Sequence, residues 1–302
     1  MCVMTPQSTI LPEEQIHSLF LTLNSLHKET LLQIVAHCAD FPKEIQRLNQ
    51  QFNTTVNGGI GWSYEVCQLA LGTKRIPKGM RTFSDITDKA PATDGDIFFH
   101  ISSDRADLNY ELMKNFLAPI IDQCTIEDET PCIRYKDSRD LTGFIDGTEN
   151  PKGDEERASV ALIQDGNFAG GSFAFVQKYE HNLNRWEQMS NQEKEHTIGR
   201  TMADSVELEN KKDTAHISRV VIEENGEELE IVRHSKPFFS VSSKKGLFFL
   251  AYTNNLDHIE KMLNRMYGQT SDGLTDSLLQ HTTPVSGAIF FFPPSEILQN
   301  VI

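Results

Sequence analysis

The residues best suited to chemistry lie in a short segment near the middle of the chain, residues 143–151 (GFIDGTENP). Two glycines, Gly143 and Gly147, flank an acid, Asp146, and the segment holds too many turn-forming residues for a helix or strand. Small residues allow a backbone to approach another group closely, so the segment could hold Asp146 against a ligand. It could also be a simple Asx-type turn, in which the Asp146 side chain bonds to its own backbone.

This segment resembles the signature that dye-decolorizing peroxidases place against their haem. Five further segments resemble that family and follow in its order: GGSFAFVQKYEHNL (170–183), IGRTMADSVEL (198–208), TAHISR (214–219), IVRHSKPF (231–238) and TTPVSGAIFFFPP (282–294). The similarity covers the C-terminal half closely and the N-terminal half more faintly, where ATDGDIFFHI (92–101) is the clearest piece. The resemblance implies two ferredoxin-like domains, with haem b (iron protoporphyrin IX) bound in the second.

The resemblance implies that His216 is the protein ligand of the haem iron. The residues alone do not single it out, because the chain holds ten histidines and any of them could be a surface or core residue. A peroxidase needs an electron-rich imidazole on the iron, which a carboxylate accepting the other ring N–H provides. Asp276 is the candidate for this carboxylate, with Asp272 close in sequence. Asp276 could otherwise be a helix N-cap or a solvated acid.

On the opposite face of the haem the resemblance implies Asp146 and Arg233. Peroxide must lose a proton from one oxygen and receive one on the leaving oxygen, a transfer that a positioned carboxylate can carry out. The guanidinium remains charged and stabilises the negative charge that develops as the O–O bond breaks. Ser235 lies two residues beyond Arg233 and would point to the same side of an extended segment. We expect its hydroxyl to hold water there, although some family members carry asparagine at this place.

Six other residues are expected to contact the haem. They are Gly147, Thr148, Arg200, Arg219, Phe248 and Leu250. Gly147 and Thr148 belong to the segment that the resemblance places against the cofactor. Either arginine could pair with a haem propionate. The two apolar residues alternate on one face of a predicted strand, where they could form a dry roof over the pocket or belong to the ordinary core.

The elements that must position these residues follow from the apolar pattern. In the first part of the chain, residues 17–23 (HSLFLTL) predict a strand and residues 28–52 a helix. A turn marked by Gly58 and Gly59 then leads to a second short strand at residues 60–66. The sequence therefore begins with a strand followed by a helix.

The same order occurs twice more, 150 positions apart. Residues 96–101 (DIFFHI) predict a buried strand that precedes a helix over residues 107–116, and residues 246–251 (GLFFLA) predict a strand before a second helix. Asp107 and Asp257 stand where the N-caps of these helices belong. The repeat predicts an α+β fold made of two ferredoxin-like halves, residues 1–140 and 141–302, with antiparallel sheets and peripheral helices.

The composition excludes several classes of protein. With 38% hydrophobic and 24% charged residues, the 302-residue chain has the composition of a globular protein. A net charge of −15, with no dense run of lysine and arginine, argues against a nucleic-acid partner. No stretch reaches the ~20 apolar residues that span a bilayer, and the first residues lack a signal-peptide pattern. We therefore predict a cytoplasmic protein with no membrane partner.

The resemblance implies a peroxidase in which haem and hydrogen peroxide give an oxo-ferryl state. Organic donors such as dyes and phenols then return two electrons singly. Two alternatives are a haem-handling protein that releases haem or iron, and a non-catalytic α+β binding module in which residues 143–151 are only a turn. Family analogy also predicts a homo-oligomer such as a dimer. No tail of the kind that directs some relatives into nanocompartments is evident after Pro294.

Overall fold

One antiparallel sheet of ten strands runs through both halves of the part of the chain that the structure describes. This structure is a computed structural model that describes residues 4–13, 15–73, 75–93 and 95–301. The first half contains β1 (His17–Ser25), α1 (Lys28–Cys38), α2 (Phe41–Phe52), β2 (Asn57–Trp62), α3 (Tyr64–Leu71), β3 (Ile97–Ser103), α4 (Ala106–Leu117) and β4 (Cys124–Ile133). The second half begins with α5 (Gly153–Ala161), β5 (Ser172–His181), α6 (Leu183–Glu187), α7 (Asn191–Ile198) and α8 (His216–Val220). It continues with β6 (Glu223–Glu224), β7 (Glu227–Glu228), β8 (Val232–Arg233), β9 (Lys236–Phe239), β10 (Lys245–Thr253), α9 (Leu256–Met266), β11 (Thr282–Pro284), β12 (Ala288–Phe292) and α10 (Ser295–Gln299).

Two predictions in the first half were wrong in their boundaries. The helix expected over residues 28–52 is two helices, α1 and α2, because Pro42 lies in the first turn of α2. Proline lacks the N–H that a continuous helix would need at that point. The short strand begins earlier than predicted and ends at Trp62, since the hydroxyl of Ser63 accepts a hydrogen bond from the Val66 N–H and caps α3.

The two strand–helix repeats are present, but their caps differ from the prediction. Strands β3 and β10 lead into α4 and α9, as expected. The N-caps are Arg105 and Asn255, so the assignment of Asp107 and Asp257 to these positions was wrong. Both acids lie in the first turn of their helix, where a negative charge is still favourable to the helix dipole.

The halves are joined by pairing between β2 and β12. The strand order is β4-β1-β3-β2-β12-β5-β10-β8, and Trp62 lies opposite Phe291 at the junction. The antiparallel α+β prediction is confirmed, with the difference that the sheets of the two halves form one continuous sheet. The division into residues 1–140 and 141–302 stays a prediction.

Apolar side chains cover both faces of the sheet. Helices α1 to α4 and α9 pack on one face. On the other face the rings of Phe20 and Phe248 stack with their centroids 4.3 Å apart, beside Phe98 and Phe290. No helix in the described ranges combines the length and apolar character required to cross a membrane.

Candidate active site

A largely apolar cavity lies in the second half, between β10, α8, α9 and the loop of residues 143–149. Its volume is about 1560 Å³, a figure that includes the part open to solvent. Leu247 and Phe249 of β10, Ile217 of α8 and Met262 of α9 contribute apolar side chains. Polar residues from several elements interrupt this lining, and the predicted site residues are found among them.

His216, in the lining, pairs with Asp276, which is buried directly behind it. The Nδ1 atom of His216, the first residue of α8, lies 2.6 Å from Oδ2 of Asp276. The Asp276 side chain is fully buried, and its Oδ1 atom accepts a hydrogen bond of 2.8 Å from the Leu278 N–H. Asp276 is thus both the partner of His216 and the N-cap of a short 3-10 helix, Ser277–Gln280. With Nδ1 engaged, Nε2 is the ring nitrogen left for a ligand in the cavity.

A second polar pair joins Asp146 to Arg233. The Nη1 atom of Arg233 in β8 lies 3.3 Å from Oδ1 of Asp146, and both side chains are about one-quarter exposed. The same carboxylate oxygen accepts a hydrogen bond of 2.7 Å from the Gly147 N–H. Gly147 has a φ of +77°, a backbone conformation that favours glycine. The loop therefore forms a local turn and also presents its acid to the cavity.

Four more predicted residues line the same cavity: Gly147, Thr148, Arg200 and Ser235. Arg200 donates a hydrogen bond of 2.6 Å to the Thr148 hydroxyl and pairs with Glu149 at 3.1 Å. Two polar atoms here, Arg200 Nε and Ser235 Oγ, are buried without a hydrogen-bond partner among the described residues. The structure thus brings eight of the eleven predicted site residues to one place: Asp146, Gly147, Thr148, Arg200, His216, Arg233 and Ser235 in the lining, with Asp276 directly behind His216.

The structure does not bring Phe248 and Leu250 to the cavity; of the two readings left open, it shows the ordinary core and not the roof of the pocket. Ala251 lies opposite Arg233 in the pairing of β10 with β8, so residues 247, 249 and 251 share the face of Arg233. Phe248 and Leu250 point into the core on the other face. Alternation shows which residues share a face of a strand, but not which face meets the ligand.

Arg219 also lies away from the cavity lining, so of the two arginines considered for a propionate it is Arg200 that lines the cavity. Its side chain is buried, pairs with Asp272 at 2.8 Å and donates a further bond of 3.0 Å to the Arg265 carbonyl. This pair also accounts for Asp272, the alternative partner considered for His216. Arg219 therefore ties α8 to the end of α9.

Comparison with known proteins shows the family to which this chain belongs. The family model "Dyp-type peroxidase, C-terminal" matches residues 137–297, and "Dyp-type peroxidase, N-terminal" matches residues 7–132. The chain belongs to the Dyp-type peroxidase family. A dye-decolorizing peroxidase of Mycolicibacterium paratuberculosis is 40% identical over 70% of this chain, but the match spans only 61% of that relative's length.

Solved structures of family members match the chain over nearly its full length. A dye-decolorizing protein from V. cholerae has 40% identity and a TM-score of 0.92, covering 98% of this chain and 99% of that one. A variant of DypB from Rhodococcus jostii, solved in complex with haem, has 29% identity and a TM-score of 0.90, with 99% of each chain covered.

The cavity of this Dyp-type peroxidase family member is also lined by a pair that the sequence did not predict, Asp140 and His181. Their side chains approach to 3.1 Å between Oδ1 and Nε2. Burial opposes ionisation of Asp140, but the charge of His181 and hydrogen bonds from His181 and Thr142 outweigh it and lower the pKa of Asp140 to about 2. These residues are 41 positions apart, and no local pattern links them.

Proposed function

We propose that this chain is a haem peroxidase that reduces hydrogen peroxide with electrons from organic donors such as dyes and phenols. The observation that carries the proposal is that one apolar cavity is lined by the Asp146–Arg233 pair and by His216, which is backed by the buried carboxylate of Asp276. His216 with its supporting carboxylate suits a metal ligand, and the Asp146–Arg233 pair suits proton transfer beside a fixed positive charge.

The residues present fit a haem. Nε2 of His216 would bind the iron, and the apolar side chains of Leu247, Phe249 and Met262 would contact the porphyrin. The buried Nε of Arg200, which has no partner among the described residues, would pair with a propionate. The sequence contains no C-x-x-C-H segment, so we propose haem b, which is not attached through thioethers. When bound, the haem supplies the iron at which peroxide is reduced.

The protein's own groups have distinct tasks in this proposal. Asp276 accepts the Nδ1–H of His216, which fixes the tautomer, leaves the Nε2 lone pair for the metal and makes the imidazole a stronger donor. Asp146 takes a proton from one peroxide oxygen and returns it to the other. Arg233 remains positively charged and stabilises the negative charge on the leaving oxygen. The Ser235 hydroxyl orients water near this pair.

A steady-state assay with hydrogen peroxide and a dye separates this function from the two alternatives. The haem-loaded protein should oxidise the dye over many turnovers, and it should transfer its haem to apomyoglobin slowly. Slow dye oxidation together with rapid haem transfer would instead establish a haem-handling protein. A protein that takes up no haem would contradict the peroxidase and favour a binding module. We also propose that the protein is cytoplasmic and that it forms a homo-oligomer such as a dimer.

A further inference from the structure

Strand β8, which carries Arg233, lies at one end of the ten-stranded sheet. The residue that follows, His234, donates its N–H to the Leu250 carbonyl of β10 at 2.8 Å. Because successive residues of an extended strand direct their backbone groups to opposite edges, the N–H and C=O of Arg233 point away from β10. These two groups need partners from outside the sheet, since half-buried backbone groups are costly to leave unbonded.

The side chain of Asn150 supplies both partners. Its Oδ1 atom accepts a hydrogen bond of 2.9 Å from the Arg233 N–H, and its Nδ2 atom donates one of 2.8 Å to the Arg233 carbonyl. A primary amide carries the same donor and acceptor as a peptide group, so Asn150 takes the place of one residue of a further strand. It is the last residue of the segment GFIDGTEN, four positions beyond Asp146.

The loop connects this contact to the Asp146 carboxylate through two short bonds. The Asn150 N–H donates to the Gly147 carbonyl at 3.1 Å, and the Gly147 N–H donates to Asp146 Oδ1 at 2.7 Å. Asp146 and Arg233 are 87 positions apart, so their 3.3 Å contact depends on how the loop lies against β8. Asn150 links the loop directly to the Arg233 backbone.

We infer that Asn150 is a positioning residue that sets Arg233 against Asp146 for the reaction with peroxide. This inference rests on the proposed function, and it adds a residue that need not touch peroxide or the cofactor. Neither of the two most similar side chains can make both bonds in the same geometry. Aspartate at position 150 lacks the donor for the Arg233 carbonyl, and glutamine is longer by one methylene.

The chain contains a matched control for a purely structural effect. Asn49 makes the same two bonds with Val56, at 2.9 Å from Nδ2 to the carbonyl and 2.7 Å from the backbone N–H to Oδ1. Both asparagines are part-buried, and Asn49 lies in the N-terminal half, outside the cavity lining. Asn49→Ala and Asn150→Ala therefore remove equivalent contacts, and only the second should affect the site.

The test compares the haem-loaded wild type, Asn150→Ala, Asn150→Asp and Asn49→Ala in stopped-flow reactions with hydrogen peroxide. Loss of two hydrogen bonds predicts a bimolecular rate lower by about 10- to 30-fold in Asn150→Ala, at an unchanged KM for the donor. Asn150→Asp has the same size and keeps one bond, so it should also be slower, by at least about threefold. Asn49→Ala should react within about twofold of wild type.

A second readout requires no haem. In hydrogen–deuterium exchange of the apo-protein, the peptide covering residues 231–235 should exchange at least about tenfold faster in Asn150→Ala, because the Arg233 N–H loses its acceptor. Unchanged exchange there, or wild-type peroxide rates in both Asn150 variants, would overturn the inference, as would an equal loss of rate in Asn49→Ala. If wild-type protein itself fails to react with peroxide, the proposed function fails, while the exchange experiment still tests the contact.

Discussion

Replacing Asp276 by asparagine perturbs the proposed iron ligand without changing the shape of its partner. The carboxylate makes two bonds, one through Oδ2 to His216 Nδ1 at 2.6 Å and one through Oδ1 to the Leu278 N–H at 2.8 Å. An amide has one acceptor oxygen, so it can keep only one of them. If the oxygen stays at Leu278, the NH₂ group faces His216 and favours the tautomer that is protonated on Nε2, which cannot bind iron.

The size of the effect follows from the bond that is lost. A hydrogen bond to a charged group contributes about 1.5–3 kcal/mol, and each 1.36 kcal/mol corresponds to about a factor of ten, so haem affinity should fall by about 10- to 150-fold. The imidazole also becomes a weaker donor, which should raise the reduction potential of the iron.

Haem titration and potentiometry of Asp276→Asn measure both effects, and Asp272→Asn is the matched control. Asp272 is the other acid of this region, but it pairs with Arg219 outside the cavity lining, so its variant should keep wild-type affinity and potential. Wild-type values in Asp276→Asn, or the same losses in Asp272→Asn, would refute the role assigned to the buried carboxylate.

Two further predictions concern stability and the faces of β10. Burial and the nearby charge of Arg157 lower the pKa of His234 to about 3. Below pH 6.5 the unfolded chain therefore binds a proton at this residue that the native state does not bind. Stability should therefore fall on acidification from pH 6.5 to 4.5, by about 1.4 kcal/mol per pH unit for this residue, and urea unfolding of His234→Gln should show a correspondingly smaller slope. Phe248→Ala should lower the free energy of unfolding by about 3–5 kcal/mol and leave haem affinity unchanged, because Phe248 lies in the core. Phe249→Ala should weaken haem binding, because Phe249 lines the cavity. The reverse pattern in haem titrations would contradict the assignment of these residues to opposite faces of β10.

Local patterns in the sequence predicted the elements that carry the site better than the contacts between them. The apolar runs at residues 96–101 and 246–251 correctly indicated β3 and β10, because buried strands need continuous apolar residues. The helix predicted over residues 28–52 was interrupted, although Pro42 was a visible signal for its division. The pairing of β2 with β12 joins residues more than 200 positions apart, so no local pattern could show it.

The site residues show the same limit. Resemblance indicated His216, Asp146 and Arg233, and the structure brings them to one cavity. Phe249 lines the cavity and Phe248 does not, because of the register of β10 against β8, which is a property of the fold. The sequence gives no local signal for the positioning role proposed for Asn150, because that role depends on the backbone of Arg233, 83 positions away.

The central claim is that His216 binds a haem whose other side reacts with peroxide under the control of Asp146 and Arg233. An optical spectrum of the haem-loaded protein, recorded before and after one equivalent of hydrogen peroxide, tests it most directly. We predict a Soret band typical of ferric haem with a histidine ligand, a rapid change of that spectrum on mixing, and loss of the histidine signature in His216→Ala. A protein that binds no haem, a spectrum indifferent to peroxide, or an unaltered signature in His216→Ala would contradict the claim.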